Sequence, residues 1–178
     1  MRLTDPNREN AKWLDQSRES GEMEDDMEIP VVPLSKSRVD EAARLLAGYL
    51  TDDAQAADPE RLAQCRRHLD AMLAAPELVA VYLAGDPRDP DGFMVATWSF
   101  TTSAGRPVLR VEALYTRPDR RRRGVGHALL AQAAALGRSR GAHRLQLDTD
   151  DDNHAAGALY TAAGFHALDG KTPWIRPL

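Results

Sequence analysis

The chain changes its hydrophobic period several times, and each change marks an element. From Ser37, a candidate helix cap, apolar residues Val39, Ala42, Ala43 and Leu46 recur at helical spacing. Asp58-Pro59-Glu60 opens a second helical stretch with Leu62, Leu69, Met72 and Leu73 on its apolar side, and Pro76 follows its end. "MEIPVVPL" reads as a short strand broken by prolines. "LVAVYLA" is a strand, "GDPRDPDG" a turn, and "GFMVATWSFTT" and "PVLRVEALYT" are strands joined by the turn "SAGR". Helical spacing returns from Gly124 to Arg140, with Val125, Leu129, Ala133 and Leu136 as the stripe. "HRLQLDT" then predicts a strand, "NHAAGALYTAAG" a helix, and "FHALDG" and "PWIRPL" closing strands. The order β-α-α-β-β-β-α-β-α-β-β is that of an α/β chain with an antiparallel meander and a helical crossover.

A length of 178 residues fits one domain with an appendage. The boundary is expected near residue 28. Residues 1–28 form an acidic extension, either helical around Glu9 to Ser17 and packed through Trp13 and Leu14, or a tail. Residues 29–178 form the domain. With 43% hydrophobic residues the domain can bury a core. No run of 18 apolar residues predicts a membrane span, and the N-terminus lacks the apolar segment of a signal peptide. The single cysteine, Cys65, excludes an internal disulfide framework and a Cys-rich zinc site and reads as structural. These features predict a cytoplasmic protein without a metal centre.

Charge is unevenly spread. Residues 1–28 carry four basic against nine acidic residues, a net of −5, which leaves +1 for the rest of a chain whose total is −4. A protein that tracks a phosphate backbone is basic across its binding domain. This domain is balanced, with one dense cluster in "TRPDRRRRGVGHALL", residues 116–130. That cluster falls where a strand gives way to a helix. The first N–H groups of a helix lack internal partners, and with the helix dipole they favour an anion. Glycines at 124 and 126 leave the backbone open, and arginines add forked donors suited to phosphate. The stretch reads as a cradle for one compact anion rather than a nucleic-acid track. It is neither a P-loop nor a Rossmann fingerprint.

Arg121-Arg122-Arg123-Gly124-Val125-Gly126 matches an R-x-x-G-x-G/A signature, preceded by "VEALYT", followed by "HALL" and later by Asn153 to Phe165, "NHAAGALYTAAGF". In these motifs and their spacing the chain resembles the GCN5-related N-acetyltransferases (GNAT), the polyamine (diamine) acetyltransferase-like members in particular. The resemblance is strong over residues 108–166. It implies a mixed, mostly antiparallel central sheet flanked by helices and splayed between its fourth and fifth strands. It implies acetyl-coenzyme A as donor, with the pyrophosphate on the backbone of Arg121, Arg122, Arg123, Gly124, Val125 and Gly126, and His127 nearby. It implies a pantetheine arm along Leu114, Tyr115 and Thr116, with Asn153 bonding its amide. A backbone N–H near Leu114 would polarise the thioester carbonyl. The chain departs from the family in two places: Arg122 stands where many members have glycine, and Ala113 where many have aspartate.

An alkyl amine with a pKa near 10.4 is mostly protonated in water, so transfer needs a base, and the leaving thiolate needs an acid. Glu112 is the candidate base, directly or through water; its alternative is a sheet-surface glutamate paired with Arg110. Simple alternation would put Glu112, Leu114 and Thr116 on one face and Val111, Ala113 and Tyr115 on the other. Tyr160 is the candidate acid, its alternative a core tyrosine. Asn153 is also a candidate helix cap. Asp148, Asp150, Asp151 and Asp152 either solubilise a loop or attract a cationic amine. Tyr49, Tyr82, Trp98 and Phe100 are candidates to line the acceptor pocket or the core. The expected partner is a small-molecule amine, with neither nucleic acid nor membrane; a homodimer fits the resemblance. A non-catalytic coenzyme A sensor and a protein N-acetyltransferase are the competing readings.

Overall fold

The computed structural model describes residues 28–51 and 58–168. The expected acidic extension, apart from Glu28, and the expected strand "PWIRPL" lie outside the described residues. The elements are β1 (Val31–Pro33), α1 (Val39–Thr51), α2 (Pro59–Leu73), β2 (Val79–Asp86), β3 (Asp89–Thr101), β4 (Arg106–Thr116), α3 (Val125–Ser139), β5 (Arg144–Leu147) and α4 (His154–Ala162). They form one five-stranded sheet in the order β1-β2-β3-β4-β5. The first three pairings are antiparallel and β4–β5 is parallel. A parallel neighbour needs a crossover connection, and α3 supplies it.

Alternation along β3 explains the layers. Phe93 and Val95 face a core built with α1 and α2, whereas Met94 and Ala96 face a second core built with α3. The helical stripes fit these cores. Val39, Ala42, Ala43 and Leu46 of α1 are buried, as are Val125, Leu129 and Ala133 of α3. Cys65 and Leu69 of α2 are fully buried, and burial pushes the Cys65 thiol pKa up, consistent with a structural cysteine. At the start of α2, Asp58 Oδ1 accepts from the Arg61 N–H at 2.7 Å, and Pro59 occupies the first turn.

Some boundaries differ from the sequence reading. Ser37 does not cap α1: it lies inside a 3₁₀ turn, Lys36–Arg38, and its hydroxyl meets that of Ser35. The breaker-rich "GDPRDPDG" is mostly strand, because a register irregularity at Ala84/Gly85 accommodates the β2–β3 turn and lets Pro90 pair with Gly85. "HRLQLDT" is a strand only from Arg144 to Leu147, and residues 165–168 of the expected strand "FHALDG" are irregular.

Two features of β4 create the site. Val95 pairs with Ala113 and Ala96 with Val111, so Glu112 is an extra residue with no partner on β3, a β-bulge. On the opposite edge, β5 follows β4 only from Val108 to Val111. Beyond that rung the strands part, and β4 continues to Thr116 without a neighbour on that side among the described residues.

Gly92 lets α3 approach this end of the sheet. A Cβ there would meet the Tyr115 carbonyl oxygen at 2.5 Å and Val125 Cγ1 at 2.9 Å. A backbone oxygen inside a sheet cannot step aside, so Gly92→Ala is expected to cost about 1–3 kcal/mol. A urea titration would show a lower midpoint at an unchanged slope; an unchanged midpoint would contradict this packing.

Candidate functional site

The turn from β4 into α3 carries the anion-binding geometry. Gly124, with φ of 83°, is the N-cap of α3 in the left-handed region that glycine adopts without steric cost. Its carbonyl accepts from the Ala128 N–H at 2.9 Å. Among the described residues, the N–H groups of residues 122–127 have no partner. They form a row of free donors at the positive end of a 15-residue helix. The Arg121 N–H is already bonded to the Pro118 carbonyl, so the run of free N–H groups starts at residue 122. Gly126 serves a different contact: a Cβ there would lie 2.8 Å from Leu159 Cδ2, so this glycine lets α4 lie against the start of α3.

The structure sorts the arginines. Arg117 is held by Asp89 and Asp119, and Arg120 by Asp91 and Asp119. Arg121 Nε donates to the Thr116 carbonyl at 3.3 Å, over the open edge of β4. Arg122 and Arg123 are exposed and make no hydrogen bond or ion pair among the described residues. The exposed His127 sits in the first turn of α3 beside them.

Arg122 has a φ of 60°, which explains why glycine suits this position. The left-handed conformation costs a residue bearing a Cβ roughly 1–2 kcal/mol. Arg122→Gly should therefore raise the thermal midpoint, while Arg122→Ala, which keeps the Cβ, should not. Equal midpoints for the two variants would argue against backbone strain.

The bulge decides where Glu112 points. Val111 packs in the α3-side core, whereas Ala113 and Tyr115 pack in the α1/α2-side core. The extra residue shifts the alternation between them, so Val111 does not share a face with Ala113 and Tyr115 as simple alternation predicts. Glu112 accordingly does not join Leu114, which packs toward α3. Its carboxylate instead accepts from Thr97 Oγ1 at 2.6 Å and pairs with Arg110 Nε at 3.3 Å, on the α1/α2 side. The expected alternative pairing with Arg110 is therefore formed. Thr97 escaped the sequence reading because nothing local ties it to Glu112; only the β3–β4 register does.

Among the described residues, the backbone of β4 beyond the fork is open on one side. The Arg117 N–H donates to the Asp91 carbonyl on β3. By alternation the backbone of Tyr115 also faces β3, and the N–H groups of Leu114 and Thr116 point to the open edge. The Tyr115 ring lies in the core against Phe93 and Tyr49.

From the opposite face, α4 brings Tyr160 to the α3-side core, where its ring packs 6.1 Å from that of Phe165. Burial, with a smaller push from Tyr49, raises the Tyr160 pKa above its usual 10.0. Asn153 caps α4, its Oδ1 accepting from the Ala156 N–H at 3.2 Å. This leaves the side-chain amide N–H₂ without a partner among the described residues.

The four aromatic candidates for a pocket do not converge. Tyr82 and Trp98 pack on the α3 side, with Arg140 stacked over Trp98 at 5.1 Å. Phe100 is 64% exposed. Tyr49 alone stands beside the end of β4, edge-on to Tyr115. Asp148 follows directly after β5 and binds Arg110. Asp150, Asp151 and Asp152 are exposed in the next loop, and no acidic or His/Cys group capable of holding a metal ion occurs among the described residues. No helix among them is long and apolar enough to cross a membrane.

Comparison with known proteins agrees with this geometry. The model of the acetyltransferase (GNAT) family matches residues 41–165. Thialysine N-epsilon-acetyltransferase of Bos taurus is 31% identical over 101 residues, which cover 54% of this chain and 59% of that protein. Mycothiol acetyltransferase of Clavibacter michiganensis is 32% identical over 136 residues, 70% of this chain and 43% of that one. The chain thus spans less than two thirds of either relative. Aminoglycoside N(6')-acetyltransferase type 1 of Salmonella typhimurium is 29% identical over 66% of this chain and 76% of its own. A crystal structure from Arthrobacter sp. FB24 superposes with a TM-score of 0.68 at 30% identity, covering 90% of this chain and 99% of that one. AAC(6')-Iy, solved with the bisubstrate analogue CoA-S-monomethyl-acetylneamine, shares the fold at a TM-score of 0.68 and 20% identity, covering 84% and 99% of the two chains. The forked sheet, the glycine-capped helix beside it and a family match over most of the chain lead to one conclusion: this chain belongs to the acetyltransferase (GNAT) family.

Proposed function

We propose that this protein transfers an acetyl group from acetyl-coenzyme A to the primary amine of a small cationic molecule by direct attack. The observation that carries the reading is the fork. The strands part immediately after Val111, and the opened edge of β4 leads to the free N–H row that begins α3. An extended arm can bond there as an added strand, and its diphosphate can settle on the helix start. The residues present fit such a donor: N–H groups of 122–126 for the diphosphate, Arg122 and Arg123 for added charge, Leu114 and Thr116 N–H groups for the arm, and the Asn153 amide beside it.

The donor supplies the activated acyl group, and the chain's own residues orient it and move protons. As the amine nitrogen bonds to the acyl carbon and the carbon–sulfur bond breaks, Glu112 takes the amine proton, directly or through water. Tyr160 gives its phenolic proton to the departing sulfur and is reprotonated from solvent. Glu112 and Tyr160 belong to opposite faces of the sheet, and the fork is where groups from both faces can address one substrate. The exposed carboxylates of Asp150, Asp151 and Asp152, in the loop that follows β5, favour a cation. The relatives' names, thialysine, mycothiol and aminoglycoside acetyltransferases, support a small-molecule acceptor.

The test is a mass-spectrometric screen of acetyl-coenzyme A with spermidine, thialysine, neamine and a lysine-containing peptide. Acetylated small amines are expected. Acetylation of the peptide alone would replace the acceptor class. Tight coenzyme A binding with no product from any amine would favour a sensor.

A further inference from the structure

Where β4 and β5 part, one side chain touches both strands. Arg110 pairs through Nε with Glu112, immediately beyond the last β4–β5 rung on β4. Through Nη2 it binds Asp148, immediately beyond the same rung on β5. Thr97, the β3 partner of Arg110 in the ladder, closes the arrangement by donating to Glu112 Oε1 at 2.6 Å. The bulge makes this geometry available, because it turns Glu112 onto the face that Arg110 and Thr97 occupy. All three charged groups are partly exposed, so the pairs contribute little to stability. Their charges sum to one net negative where the strands part.

We infer that Arg110 is a positioning residue for the transfer reaction: its guanidinium spans the fork, fixes Glu112 relative to the β5 lip, and cancels one of two carboxylates so that an incoming ammonium meets a single net negative charge. The inference rests on the reading of Glu112 as the base. Two opposed consequences follow. Without Arg110, two uncompensated carboxylates hold a cationic amine more tightly in its protonated, unreactive form, while Glu112 is released from its place. Without Asp148, the fork loses its clasp and the cleft its net charge.

The test uses the full-length chain, steady-state kinetics with the panel amine turned over fastest, and thermal midpoints alongside. Arg110→Gln is expected to lower the amine KM about threefold and kcat tenfold or more. Asp148→Asn is expected to raise KM and lower kcat. Thr97→Val is expected to lower kcat, and Thr97→Ser, which keeps the hydroxyl, to restore it. Midpoints should shift by no more than a few degrees. A merely structural role would not move KM in opposite directions. If Glu112→Gln is severely impaired while Arg110→Gln and Asp148→Asn stay within twofold of wild type, the positioning role is overturned and the base stands. If Glu112→Gln stays within twofold, both fall. A measurement needing no acceptor is the Arg110 Nε–H signal in ¹⁵N spectra. The clasp predicts slow exchange that Asp148→Asn abolishes, and rapid exchange in the wild type would refute it.

Discussion

Replacing Glu112 with glutamine should lower kcat by roughly 10²–10³-fold, the lower part of the range that loss of a positioned general base produces. Near neutral pH an alkyl amine with a pKa near 10.4 is deprotonated in only about one molecule in 2,500, so proton removal is a large part of the barrier. Glutamine is the informative choice. It keeps an oxygen to accept from Thr97 and occupies nearly the same volume, so it removes the basicity and the charge that pairs with Arg110 while leaving the shape in place. The KM for acetyl-coenzyme A should stay within about twofold, since the proposed donor contacts lie on Leu114, Thr116 and the start of α3. Steady-state kinetics with a thermal midpoint decides this, and a kcat within twofold of wild type would remove Glu112 from the chemistry.

Tyr160→Phe should cost less, about 10–10²-fold in kcat, for a reason that lies in the acid itself. Burial raises the phenol pKa above 10.0, which keeps it protonated throughout the working range. An ordinary thiol has a pKa near 8.5, so proton transfer from the phenol to the departing thiolate runs uphill, and the thiolate can leave with partial help. A general acid of this kind contributes toward the low end of the usual range. The same shift makes a stability prediction. The folded phenol holds its proton more tightly than the unfolded one, so its contribution is complete below pH 10 and is lost as pH rises through the higher folded value. Wild type should therefore lose stability above pH 10 more steeply than Tyr160→Phe. Urea titrations from pH 8 to 11 would show it, and parallel curves would mean that the phenol ionises equally in both states.

The legible part of the site was its local part. The glycine-capped start of α3, the cap at Asn153 and the apolar stripes of α1 and α3 depend on residues within a few positions of one another, and each is observed. Sorting the arginines was not legible: the acids that neutralise Arg117 and Arg120 include Asp89 and Asp91, which come from another strand. Nor does the sequence around Gly126 reveal that a Cβ there would meet Leu159, more than thirty positions away.

By itself the sequence determined the order of elements from β1 to α4, the glycine-bearing turn between a strand and a helix, and the family, because hydrophobic period, capping and backbone freedom are short-range properties. Tertiary structure decided which way Glu112 faces. That depends on pairing between strands, where a single residue without a partner shifts the alternation and carries a carboxylate from one face of the sheet to the other.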